Sequence, residues 1–231
     1  MEVSKFKKLK VAIISILIPP IILFIGVKVG DRNYWLVSMI LIILAMWPFF
    51  SLFERRKPRA REIVPIAVMS AIAAIGRFAF AMIPQFKPVA AIVIITGISF
   101  GSEAGFLTGA ISALVSNFFF GQGPWTPWQM FAFGIIGFLS GLLYKYKIIE
   151  SKLSICIFGG VCGYLYGLIV NLWTILAYVN PLTKEGVIAT YASSIPFDTI
   201  HAISTVIFLF ILAMPMKEKM ERLKLKYGLF R

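Results

Sequence analysis

Glu54-Arg55-Arg56-Lys57-Pro58-Arg59-Ala60-Arg61 is a dense run of charge set between two long apolar blocks. Six charges and a proline in eight residues do not belong in hydrocarbon, so the run reads as a linker. Before it lie two apolar runs, over about 10–29 and 34–53. After it lie six more, over about 62–82, 88–103, 104–120, 127–144, 153–178 and 195–215. Most approach the roughly 20 residues that a helix needs to cross a hydrocarbon layer about 30 Å thick. The fourth and fifth are short and meet at Gly101-Ser102-Glu103-Ala104-Gly105. The pattern predicts an all-α integral membrane protein of about eight spans. Residues 1–57 form a transmembrane hairpin with its basic linker, 58–216 a six-helix domain, and 217–231 a basic amphipathic tail along the inner lipid surface.

Composition agrees. Of 231 residues 59% are hydrophobic and 14% charged, and mean hydropathy is +0.88. Soluble domains carry about 25% charged residues, so a cytosolic enzyme, a secreted disulfide scaffold and a disordered tail are all excluded. The 23 Lys and Arg against 10 Asp and Glu form no basic face for nucleic acid; they sit between apolar runs. With the N-terminus inside, residues 5–10, 55–61, 145–152 and 217–231 place eighteen of them on the cytoplasmic side. Lys28, Arg32, Arg77, Lys87 and Lys184 remain outside. That bias follows the positive-inside rule and predicts a plasma-membrane protein with both termini cytoplasmic. No small-residue cleavage site follows the first apolar run, so it is expected to stay as a span. Pro19-Pro20 should kink it.

No G-x-x-x-x-G-K-[ST] loop occurs, so the chain has no phosphate cradle of that kind for ATP. One histidine excludes a multi-histidine metal centre, and no cofactor is expected. Cys156 and Cys162 lie six apart in an apolar run and read as small core residues. Gly97-Ile98-Ser99-Phe100-Gly101 fits G-x-S-x-G, and with His201 it would resemble a rhomboid-type intramembrane protease. By helical rise, however, Ser99 falls about 17 Å below the outer surface and His201 about 9 Å.

The outward-facing segments are richer. Asn117-Phe118-Phe119-Phe120-Gly121-Gln122-Gly123-Pro124-Trp125-Thr126-Pro127-Trp128-Gln129 combines flat aromatic faces and amides with no charge. That mixture suits a pocket for a large, flat or neutral ligand; an interfacial aromatic belt would draw on the same residue types. Arg77, Gln85 and Lys87 follow the third span, Asn171 and Trp173 end the seventh, and Tyr191, Asp198 and His201 enter the eighth. Asp198 and His201, three apart, share a helix face. Ala67-Val68-Met69-Ser70-Ala71 forms a small-x-x-x-small ridge that lets another helix approach closely.

Together these residues resemble the substrate-binding (S) component of an energy-coupling factor (ECF) vitamin transporter, over about 62–215. The resemblance rests on Phe100-Gly-Ser-Glu-Ala-Gly-Phe-Leu-Thr-Gly-Ala, on Gly121-Gln-Gly-Pro-Trp-Thr-Pro-Trp-Gln-Met, and on Gly134-Ile-Ile-Gly-Phe-Leu-Ser-Gly. It implies a six-helix bundle with an outward pocket, a transmembrane coupling (T) subunit that meets Ala67 and Ala71, and ATP hydrolysis on two partner ATPases. The chain itself is then no enzyme. The Gly121–Gln129 loop resembles S components associated with cobalamin-type ligands; a fixed charge such as Arg77 or Lys87 fits a carboxylated vitamin, folate or pantothenate, equally well. The extra hairpin has no counterpart in that pattern.

Overall fold

Gly101 adopts φ 98°, a conformation open to glycine but strained for other residues, and there one helix stops and the next begins. In the computed structural model, which describes residues 34–55 and 60–229, the chain forms α1 (Tyr34–Arg55), α2 (Ala60–Ala79), α3 (Val89–Phe100), α4 (Ser102–Phe120), α5 (Thr126–Lys145), α6 (Lys152–Tyr178) and α7 (Lys184–Tyr227). No strand occurs among the described residues. Five helices, α2 and α4 to α7, are long and apolar enough to cross a membrane. The expected span over 10–29 lies outside the described residues.

The helices run up and down. One end carries the Gly101 turn, the α5–α6 connection with Lys145 and Lys152, and the α7 tail; this is the basic end. The far end carries the loops after α2, α4 and α6.

All twelve residues of α3 are buried, packed between α2, α4, α5 and α7. The apolar pattern extends this run to 103, but Gly101 ends it two residues earlier, and the Gly105 N–H then bonds the Gly101 carbonyl to open α4. At 1.5 Å per residue α3 is only about 18 Å long. Irregular backbone at its ends is tolerated because surrounding helices cover it.

Backbones approach closely where side chains are absent. A Cβ on Gly105 would stand 2.3 Å from the Gly137 carbonyl oxygen, locking α4 to α5, and one on Gly163 would stand 2.4 Å from Ala202 Cα, locking α6 to α7. Small residues serve membrane interfaces this way, since lipid supplies little hydrophobic drive between helices. Cys156 and Cys162 are free and buried.

The eighth expected span, over 195–215, is the middle of a much longer helix. α7 runs 44 residues and carries Pro196 and Pro215 within it. The tail expected as a separate amphipathic segment therefore continues α7, ending at Gly228 in the left-handed conformation with its N–H on the Lys224 carbonyl. Lys224 Nζ reaches the Ser99 carbonyl at 3.4 Å, so the tail closes over the α3–α4 turn.

α1 packs on the outside of α4, α5 and α6. Its buried face, Ile42, Ala45, Met46, Phe49 and Leu52, follows helical spacing. Phe49 stacks on Phe106 at 4.2 Å and meets Phe138 edge-on at 4.9 Å. Its other face, with Ile40, Ile43, Leu44 and Trp47 exposed, is also apolar.

Candidate ligand-binding site

The last turns of α2 and α4 face each other at the far end. Arg77 Nη1 donates to Ser116 Oγ at 2.6 Å and to Asn117 Oδ1 at 2.7 Å, and the guanidinium lies 4.6 Å from the centre of the Phe120 ring. Asn117, 1% exposed, passes the connection to α5: its Nδ2 donates to Thr126 Oγ1 at 3.0 Å and to Gln129 Oε1 at 2.8 Å. The Thr126 hydroxyl donates to Gln122 Oε1 and accepts the Gly123 N–H, while Gln122 Nε2 bonds the Leu114 carbonyl. The Gln129 amide in turn lies beside the Tyr166 hydroxyl of α6. Tyr166 meets His201 of α7 edge-on at 4.8 Å, with Phe133 tilted against Tyr166 at 4.5 Å. The His201 Nδ1 is buried and finds no hydrogen-bond partner among the described residues. One connected wall thus joins α2, α4, α5, α6 and α7.

Local backbone fixes this wall. α4 ends at Gly121, φ 96°, and α5 starts with Pro127 in its first turn, where proline loses no helical bond. The five intervening residues bring Gln122 back beneath Asn117. The Trp125 ring lies over Gly123, so close that a Cβ there would sit 2.4 Å from it.

Lys87 takes a different part. Its ammonium donates to the carbonyls of Phe80, Ala81 and Ile83, capping the end of α2 as a cation should. It also lies 6.0 Å from the Phe120 ring. Burial, and the positive charge of Arg77, hold its ammonium below the usual lysine range. Gln85 sits exposed at the tip of the same loop with φ 54°.

The remaining sequence candidates separate. Trp128 (1% exposed) and Trp173 belong to the apolar cluster that α1 covers. Asn171 is half-buried near Trp173 on α6. The Tyr191 hydroxyl bonds the Leu168 carbonyl at 3.1 Å. Asp198 accepts a hydrogen bond from Ser194 at 2.8 Å and presses on α6 where Gly167 leaves space, so Asp198 and His201 engage different partners. Sequence reasoning missed Ser116, Thr126, Phe133 and Tyr166. Thr126 lay beside amides already singled out; Tyr166, deep in an apolar run, carried no such signal.

Ser99 and His201 are held apart. Ser204, one turn from His201, donates to the Lys87 carbonyl just before α3 begins. Ser99 lies at the other end of α3, about 15 Å along the helix, under Lys224. Ser99 and His201 therefore form no pair for hydrolysis.

Ala67 and Ala71 lie exposed on α2 among Val64, Val68, Ile72 and Ile75, which are exposed too. On the buried side of the helix Ser70 bonds the Ile66 carbonyl and packs on α4. Toward the basic end this surface runs into a groove of about 760 Å³ between α2 and the α7 tail, lined by Arg61, Val64, Pro65, Val68, Met69 and Leu223 among others.

A family profile described as "ECF-type riboflavin transporter, S component" matches residues 57–218. A UPF0397 protein of Vibrio atlanticus (strain LGP32) is 30% identical over 180 residues, covering 71% of this chain and 95% of that protein. UPF0397 proteins of Aliivibrio fischeri (strain MJ11) and Aliivibrio salmonicida (strain LFI1238) are each 34% identical over 142 residues, covering 54% of this chain and 75% of theirs. No solved structure matches the chain.

Proposed function

Since the chain belongs to the family of ECF-type riboflavin transporter S components, we propose that it is the membrane subunit that captures a vitamin or related micronutrient from outside the cell. It delivers the ligand through a coupling subunit driven by two partner ATPases. The observation that carries this reading is the connected polar and aromatic wall from Gln122 through Asn117 and Arg77 to Gln129 and Tyr166. Five helices converge on it at the end opposite the basic loops, and the positive-inside rule turns those loops to the cytoplasm.

Amides, aromatic faces and one fixed cation suit a flat heteroaromatic vitamin of the flavin kind, which rings sandwich and amides orient. A bulky cobalamin would need a broader aromatic rim, and Trp128 and Trp173, which such a rim would use, are buried in the cluster that α1 covers. The exposed Ala67–Ala71 ridge supports docking of the coupling subunit on α2, because small residues admit a second helix at close range.

Native mass spectrometry of the purified protein, followed by titration with a vitamin panel, tests this. A co-purified vitamin held at nanomolar strength supports capture. The absence of any bound small molecule, with no affinity across the panel, removes it.

A further inference from the structure

A guanidinium carries five N–H donors. At Arg77 only Nη1 is engaged, on Ser116 and Asn117. Among the described residues Nε and Nη2 have no hydrogen-bond partner, and no carboxylate pairs with the side chain. Phe120 covers one face of the guanidinium, which fixes its plane while consuming no donor. Asp198, across the bundle on α7, is turned to Ser194 and to the Gly167 gap on α6.

A charge in apolar surroundings is costly unless paired, and within a membrane span it is a functional candidate by default. Here a second cation, Lys87, flanks the same Phe120 ring, so the far end concentrates positive potential. The two cations differ in what they can still do. Lys87 has three donors and three carbonyls to receive them; it is a cap. Arg77 keeps an edge unspent, and a planar guanidinium edge matches the two oxygens of an acid group. Close by, the buried His201 Nδ1 also lacks a partner among the described residues.

We propose that the ligand carries an oxyanion, a carboxylate or a phosphate, and that the unspent edge of Arg77 binds it while Lys87 serves only to cap α2. This rests on the reading of the chain as a vitamin-capturing subunit, and narrows that reading to acid-bearing ligands.

The test uses the full-length protein in detergent and probe pairs that differ by one acid group. FMN against riboflavin reads a phosphate, and pantothenate against pantothenol reads a carboxylate, each by titration calorimetry. The expected result is that the acid member of at least one pair binds at least tenfold tighter than its uncharged counterpart. Arg77→Gln then weakens that member by roughly 30-fold, the scale of a lost charge-assisted hydrogen bond, and abolishes the preference. Arg77→Lys restores part of it, and Lys87→Met leaves it within about threefold while lowering the thermal transition. Elution volume and thermal unfolding show whether each variant is folded. Equal binding of charged and uncharged members, or a preference that survives Arg77→Gln, overturns the assignment while vitamin capture stands. If neither pair binds and native mass spectrometry finds no co-purified small molecule, vitamin capture itself falls, and this inference with it.

Discussion

Arg77 and Asn117, forty residues apart in sequence, are joined by a 2.7 Å hydrogen bond across two helices. Asn117 is the hub of the far-end wall: its carbonyl oxygen receives Arg77, and its amide nitrogen reaches both Thr126 and Gln129. Both polar atoms of a side chain in a residue 1% exposed are thereby used, as buried amides require.

Asn117→Leu should therefore cost more than its size suggests. It leaves Arg77, Thr126 and Gln129 each short of a partner, at about 1–3 kcal/mol for each buried group stranded. Thermal unfolding in detergent should show a lower transition, and ligand titration a weaker affinity. An unchanged transition would mean that the network relaxes around the loss and that Asn117 is no hub.

Gly160 and Gly163 make a matched pair on α6. A methyl on Gly163 collides with Ala202 at 2.4 Å, whereas on Gly160 it meets only Val206 Cγ2 at 3.4 Å. Gly163→Ala should destabilise the α6–α7 contact by about 1–3 kcal/mol, and Gly160→Ala by less than about 0.5 kcal/mol. Equal effects on thermal unfolding would contradict the close crossing.

Ala67→Leu with Ala71→Leu should abolish uptake in cells that supply the coupling module, while the purified variant binds ligand as the parent does. Both side chains lie exposed on α2, away from the Arg77 wall. Loss of binding together with uptake would place this ridge inside the bundle's own packing instead.

Phe49→Ala removes the ring stacked on Phe106. It should lower the unfolding transition, by about 3 kcal/mol where the site stays rigid, with little change in ligand affinity, because among the described residues the α1 cluster meets the far-end wall through apolar packing on Trp125 and Tyr166 and not through its polar network. A large fall in affinity at constant stability would instead tie α1 to ligand capture.

Much of this architecture was legible in the chain. Hydropathy and the basic linker located α1 and α2 and the later spans, and Arg77, Asn117, Gln122 and Gln129 stood out as polar groups at the ends of apolar runs. The break at Gly101 was visible as a turn but misplaced by two residues, since hydropathy does not register a positive φ. α7 was read short because hydropathy follows only its apolar middle; the charged turns beyond Pro215 are helical too, and Lys224 among them reaches the Ser99 carbonyl. Trp128 and Trp173 show another limit. A tryptophan at a helix end suits a pocket rim and a helix interface equally, and only the position of α1 tells which way each ring faces. Tyr166 had no polar neighbour at helical spacing to mark it.

The brevity of α3 has a consequence for its two ends. Its twelve buried residues separate the Lys87 cap and Arg77 at one end from Ser102, Glu103 and Lys224 at the other. The groups at the two ends of α3 thus lie about 18 Å apart along its axis, less than the roughly 30 Å of a hydrocarbon layer. Ser102 and Glu103 at its inner end are buried in turn, so the neighbouring helices, and not the length of α3, keep its ends out of lipid.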